Sequence, residues 1–177
     1  VEFYEKIGFL PEAIINYLAL LGWSLDDRSE HFTRQELIEK FSLQRVNKAP
    51  ASFDPKKLMA FQQRHMQLLP LEQKVAMVLP FLQGAGLIGE VTEPLRQQVT
   101  QIVQAAGDRI TIAGDILDFA DFFLPDDKLP YDEAAFDKNL RCPQAGELLR
   151  QFRQRLAAAS PFDPHTLEAL LRQFVQQ

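Results

Sequence analysis

Cysteine is almost missing from this chain. A single one, Cys142, stands among 177 residues, so no internal disulfide can close and no metal site can be built on thiolates. Long apolar runs are missing too, since none approaches the roughly 20 residues that span a bilayer. The opening Val1-Glu2-Phe3-Tyr4-Glu5 has neither the charged nor the apolar region of a signal peptide. A reduced, cytoplasmic setting without a membrane partner is therefore expected. Glycine is sparse and never forms a phosphate loop: Gly84-Ala85-Gly86 lacks both the further glycines and a preceding strand. His31, His65 and His165 are far apart and lack the i, i+4 spacing of a helical zinc site. Cys142, followed by Pro143 in a polar stretch, has no base or orienting group indicated beside it. No metal, no cofactor and no catalytic activity is expected of this chain by itself. Excess positive charge is also lacking, and the net charge of −5 weighs against a generic nucleic-acid binder, which is usually basic.

Helical signals occupy what remains. Pro11 suits a first helical position, where its missing N–H is not needed, and Ile14, Ile15, Leu18 and Leu21 follow at helical spacing before Gly22. Thr33-Arg34-Gln35-Glu36 has capping-box spacing and leads into Leu37, Ile38 and Phe41. Asp54-Pro55 and Asp163-Pro164 each offer a carboxylate cap followed by proline. Apolar stripes mark further helices: Leu58, Phe61 and His65 or Met66; Val75, Val78, Leu79 and Leu82 after Pro70; Leu95, Val99, Ile102 and Val103 after a Thr92 cap. A segment from about Ile110 to Phe123 carries Ile116, Phe119 and Phe123, and its Asp115, Asp118 and Asp121 read as a solvated helix face rather than a metal loop. Two late helices carry Leu148, Leu149, Phe152 and Leu156, then Leu167, Leu170, Leu171 and Phe174. The β-branched run Arg109-Ile110-Thr111-Ile112 has no partner strand in view. The fold class is all-α, in two or three small helical subdomains, with breaks near Met66–Pro70 and Pro125–Pro130.

One long motif goes further. The run Gly8-Phe9-Leu10-Pro11-Glu12-Ala13-Ile14-Ile15-Asn16-Tyr17-Leu18-Ala19-Leu20-Leu21-Gly22-Trp23-Ser24 closely resembles a signature of bacterial-type glutamyl-tRNA synthetases. Phe32-Thr33-Arg34-Gln35-Glu36-Leu37-Ile38 and Arg45-Val46-Asn47-Lys48-Ala49-Pro50-Ala51-Ser52-Phe53 are similar to the family's next motifs in register. Asp108-Arg109, Gly114-Asp115-Ile116 and Asp121-Phe122-Phe123 resemble a looser pattern in its anticodon-binding region. The apolar members of the first motif, Leu10, Ile14, Ile15, Leu18, Leu21 and Trp23, are expected in the core, which makes it a structural signature rather than a site. Ala60 and Gln62 depart from the Trp and Asn usual in the helix after Leu58, which weakens transfer of residue roles there. The chain begins after the family's KMSKS-type loop and ends before its terminal motif, so a piece of a longer protein is expected.

The resemblance implies an anticodon-binding helical bundle of a class I aminoacyl-tRNA synthetase. It implies a stem-contact-like region over 1–66 and two anticodon-binding subdomains over 67–125 and 126–177, the second incomplete. The parent would be a monomeric glutamate-tRNA ligase that uses ATP on a Rossmann-type domain absent from this chain, and the partner would be tRNA(Glu). Charge distribution is compatible with this: from Arg45 to Lys74 six basic residues (Arg45, Lys48, Lys56, Lys57, Arg64, Lys74) face two acidic ones (Asp54, Glu72). Such a stripe suits phosphates, although lysine and arginine on helices commonly line a solvated face. Candidate tRNA contacts are Arg45, Lys48, Lys57 and Arg64, then Arg109, then Arg150 and Arg153 on a late helix. Arg109 matches the position where family members that reject glutamine tRNA carry an arginine facing the third anticodon base. It is equally placed to cap a helix end or to pair with Asp108. A helical protein-protein interaction module without RNA affinity is the competing expectation, favoured by the acidic balance and a pI of about 5.2.

Overall fold

The computed structural model describes residues 2–47 and 50–176, which leaves Lys48 outside the described residues. The chain forms two compact units, Val1–Asp127 and Lys128–Gln177. Both are all-α, and the single β feature among the described residues is an isolated antiparallel bridge between Trp23 and Val46.

The first unit opens with α1 (Glu2–Ile7), α2 (Pro11–Leu20), α3 (Arg34–Lys40) and α4 (Pro55–Leu68). Proline stands at the first position of α2 and of α4. The Asp54 carboxylate accepts from the Lys56 and Lys57 amides at 2.8 and 3.3 Å, which caps α4 as its sequence implies. The capping box of α3 is complete, with Thr33 Oγ1 accepting from the Glu36 amide (3.2 Å) and the Glu36 carboxylate from that of Thr33 (2.8 Å).

Helices α2 and α4 pack together, but not on the face expected for α2. Leu10, Ala13, Asn16 and Tyr17 are buried, while Ile15 and Leu18 are 43% and 47% exposed. Ile14 and Leu21 are half-buried, and Trp23 is buried as expected. With apolar residues on most sides of α2, spacing alone does not choose the inner face. Polar contacts do: the Asn16 amide donates to Glu30 O and accepts from the Phe32 amide, both at 2.9 Å, with His65 Nε2 at 3.2 Å. Leu37 is buried on α3, whereas Ile38 and Phe41, expected beside it, are exposed.

The second half of this unit contains α5 (Leu71–Gly84), α6 (Glu93–Ala106) and a 3₁₀ segment, Ala113–Phe123. Val75, Val78 and Leu82 of α5, Val99 and Val103 of α6, and Ile110, Ala113 and Ile116 form one core. Three expectations change here. Thr92 occupies the cap position of α6 without a side-chain bond, and Pro94 sits in the first turn instead. The segment expected as a helix from Ile110 begins at Ala113, is 3₁₀ rather than α, and kinks at Phe119 (φ −106°, ψ 21°). Nor do its three aspartates share one solvated role: Asp118 and Asp121 are exposed, but half-buried Asp115 accepts from the Thr111 and Ile112 amides at 2.7 and 2.9 Å.

The two halves meet backbone to backbone. Gly8 has φ +92°, its carbonyl accepts from the Ala113 amide at 3.2 Å, and a Cβ there would lie 2.7 Å from Ala113 Cβ.

The second unit holds α7 (Glu133–Leu140), α8 (Ala145–Ala157) and α9 (Pro164–Val175). Helix α7 went unpredicted: Asp132 caps it through the Ala135 amide (2.6 Å), but it buries none of its residues and so leaves no apolar stripe to read. The Asp163 cap of α9 is as expected, accepting from the Thr166 amide at 2.8 Å. Phe152 of α8 meets Phe174 of α9 with ring centres 5.0 Å apart.

Two outcomes follow. Gly8→Ala forces a left-handed backbone and a clash together and should lower unfolding stability in urea by about 2 kcal/mol. Gly89→Ala, with nothing within 4 Å of its added Cβ, should change it by less than about 0.5 kcal/mol. Burial, reinforced by the positive charge of His31, holds His65 below the ordinary histidine range, partly offset by Glu12. The unfolded chain therefore binds a proton that folded His65 resists, so this contribution is complete above about pH 6.5 and is lost as pH falls from there toward the folded value. Glu30 and Glu36, lowered by bonds from Lys57 and from the Thr33 amide, act only at more acid pH. Urea unfolding at pH 7.5 and 5.5 should show the loss, and His65→Gln should flatten it.

Candidate nucleic-acid interface

Among the described residues, the basic candidates of the first half sit on α4 and on a 3₁₀ turn earlier in the chain. Lys57 and Arg64 are seven residues apart on α4, which is about two turns and places them on one side of the helix. Lys57 Nζ pairs with Glu30 at 2.7 Å and lies 6.0 Å from the centre of the Phe61 ring. That bond, followed by the charge itself, holds Glu30 below the usual carboxylate range. Both partners are half-exposed, and an ion pair so close to water contributes little and is readily exchanged. Arg64 is exposed, while Lys74 on α5 is half-buried. Arg45 ends a 3₁₀ turn, Leu43–Arg45, and its Nη1 donates to Leu25 O at 2.6 Å.

Arg109 ends a short 3₁₀ turn, Gly107–Arg109, directly after α6. Its Nε donates to Ala106 O at 3.3 Å and its Nη2 to Ala105 O at 3.4 Å, so the guanidinium sits on the last carbonyls of α6, where the helix dipole favours a cation. The same group lies 5.1 Å from the centre of the Phe119 ring. Of the expected structural roles the chain shows the helix-end cap. The residue nevertheless stays exposed, a cation held at the helix end beside the Phe119 ring.

The loop beyond Arg109 is pinned on three sides. Ile110 is buried in the α5–α6 core, and Asp115 takes the next two amides. Thr111 O accepts from Gln62 Nε2 at 2.9 Å, while Gln62 Oε1 accepts from the Leu10 amide at 2.8 Å. Gln62, read from sequence only as a departure from a motif, is fully buried and bonded at both ends of its amide. Its sequence signal was a polar residue inside the apolar face made by Leu58, Phe61 and Met66. Asn16 sits likewise between Ala13 and Tyr17.

Arg150 and Arg153 belong to the second unit and are exposed on α8. Arg150 pairs with Glu147 at 3.0 Å within that helix. Arg155, on the same helix, instead lies over the Phe174 ring at 5.1 Å. Thus the structure places Lys57 and Arg64 on one helix face, Arg109 on its own loop, and Arg150 with Arg153 on a separate unit. Among the described residues no group of three or more histidine, cysteine, aspartate or glutamate side chains could hold a metal ion, and no helix is long and apolar enough to cross a membrane.

Comparison with known proteins gives this arrangement a family. The profile described as anticodon binding domain matches residues 73–177, and that described as tRNA synthetases class I (E and Q), catalytic domain, matches residues 1–60. A glutamate-tRNA ligase of Moorella thermoacetica is 36% identical across 99% of this chain, and one of Roseiflexus castenholzii 38% across 97%. The chain spans only 36% and 34% of their respective lengths. A solved glutamate tRNA ligase from Elizabethkingia meningosepticum superimposes with a TM-score of 0.77 at 28% identity, covering 98% of this chain and 33% of that one. The likeness seen in Gly8–Ser24 thus extends beyond Leu58, where motif matching was loose. With one profile covering more than half of it and glutamate-tRNA ligases matching it nearly end to end, the chain belongs to the anticodon binding domain family of the glutamate-tRNA ligases.

Proposed function

We propose that this chain is the tRNA-contacting part of a glutamate-tRNA ligase, a monomeric cytoplasmic enzyme that uses ATP, and that the chain alone is inactive. The observation that carries the reading is the anticodon-binding match over 73–177, within which Arg109 stands exposed at the end of α6. In this reading residues 1–66 contact the stem, 67–125 and 126–177 embrace the anticodon arm, and tRNA(Glu) is the partner. The chain itself holds no cofactor.

Each candidate then has a physical task. Lys57 and Arg64 bind phosphates, with Lys57 exchanging half-exposed Glu30 for the RNA backbone, where the array of phosphates and the release of their counterions favour a cation. Arg45 and Lys48 extend that contact, and Arg150 and Arg153 supply cations to the anticodon arm. Arg109 reads an unpaired base: its two carbonyl bonds and its position beside the Phe119 ring restrict the guanidinium, which reduces the entropy lost when it donates to a base edge.

Titration with a tRNA(Glu) transcript, and with one whose third anticodon base is G, tests the assignment at two salt concentrations. The native chain should discriminate between them, and Arg109→Ala should lose about tenfold of that discrimination. Lys57→Ala should weaken both transcripts equally and reduce the salt slope by about one. Equal binding of both by the native chain would remove the base contact from Arg109. Absence of salt-dependent binding would contradict the tRNA-contacting role.

A further inference from the structure

We infer that Gln62 is a positioning residue that locks the loop beside Arg109 to the turn at Leu10, so that the anticodon-reading part and the synthetase-like N-terminal part answer RNA as one body. The inference rests on the tRNA-contacting reading proposed above.

Position 62 falls between the two family matches, which end at 60 and resume at 73. From there its amide reaches into both: to the Leu10 N–H on one side (2.8 Å) and to the Thr111 carbonyl on the other (2.9 Å). A backbone N–H can only donate and a carbonyl only accept, so the amide has one workable orientation and both of its ends are committed. The side chain is 0% exposed. Breaking the bond to Leu10 would leave a buried backbone group unsatisfied, which is the costly way to lose a hydrogen bond.

The surroundings make this joint stiff. Gly8 and Ala113 are bonded through their backbones, and a Cβ on Gly114 would lie 2.8 Å from Ile7 O, so there is no slack for the segments to slide. On the far side, Asp115 grips the amides of Thr111 and Ile112. Arg109 is two residues from Thr111, and buried Ile110 separates them. A shift of Arg109 on meeting a base therefore pulls at the Thr111 carbonyl, and through Gln62 at the first amide of the α2 turn. A purely space-filling residue at 62 could pack there without transmitting anything.

Amide hydrogen exchange on the whole 177-residue chain, followed by NMR, tests this with and without RNA. Without RNA, Asp115→Ala loosens the loop and should speed exchange of the Leu10 amide about tenfold relative to that of Leu37, which bonds within the α3 cap. In the Gln62→Met background the same substitution should leave the Leu10 rate where Gln62→Met alone sets it. An unchanged Leu10 to Leu37 ratio in Asp115→Ala, or a Leu10 response that survives Gln62→Met, overturns the coupling. If Gln62→Met does not fold, Gln62→Asn, whose amide is one carbon too short to reach both groups, takes its place in the same comparison. With RNA, the tRNA(Glu) anticodon stem-loop should slow exchange at Thr111, Ile112 and Leu10 together in the native chain. Slowing at Thr111 and Ile112 with Leu10 untouched overturns the coupling and leaves the tRNA reading standing. No slowing anywhere contradicts the tRNA reading itself, and the RNA-free comparison then judges Gln62 separately.

Discussion

A glutamine sealed from water must satisfy both ends of its amide within the protein, and Gln62 does so on two backbone segments about a hundred residues apart. Much of the first unit is arranged around that requirement. The Asp54-Pro55 cap starts α4 in the register that turns Leu58, Phe61, Gln62 and Met66 inward together. Gly8 allows the chain to bend at positive φ and to come close enough for Ala113 to bond its carbonyl. Asp115 then presents the Thr111 carbonyl by holding the amides beside it. Asn16 performs the parallel task on α2, fixing the loop at Glu30 and Phe32 and meeting His65. Two buried amides thus specify how otherwise featureless apolar helices fit together, at the risk that either becomes costly if one partner is lost.

What the sequence made legible was local chemistry. The caps at Thr33, Asp54 and Asp163 each depend on residues within three positions, and each forms as its spacing implies. The inner face of α2 was not legible, because Ile15 and Leu18 are as apolar as the residues that are buried and only the position of Asn16 separates the two sides. Residues 113–123 did carry a readable signal. Ala113, Ile116 and Phe119 recur every third residue, as do Asp115, Asp118 and Asp121, and a period of three is that of a 3₁₀ helix rather than an α-helix. For the site, the motif resemblance pointed to Arg109, but its contacts with Ala105, Ala106 and Phe119 depend on where α6 ends. Gln62 was visible as a polar residue on an apolar stripe, yet its meaning lay in Leu10 and Thr111, which no local pattern connects to it.

The acidic net charge is consistent with RNA contact once charge is taken locally. The excess of cations lies between Arg45 and Lys74, and two of its described members are tethered near the surface, Lys57 by an exposed carboxylate and Arg45 by a carbonyl. Tethers of this sort orient a cation without competing strongly against a phosphate. Arg109 is held differently, by carbonyls and a ring that leave its charge uncancelled. On the proposed reading the contrast would serve a division between phosphate clasping, which needs charge, and base reading, which needs a restricted donor.

Hydroxyl-radical footprinting of a tRNA(Glu) transcript with this chain tests that division most directly. The anticodon-loop riboses should become protected as the chain is added, with protection of the stem weakening first as salt is raised. Cleavage of the anticodon loop that stays unchanged while the chain saturates the transcript would contradict the account.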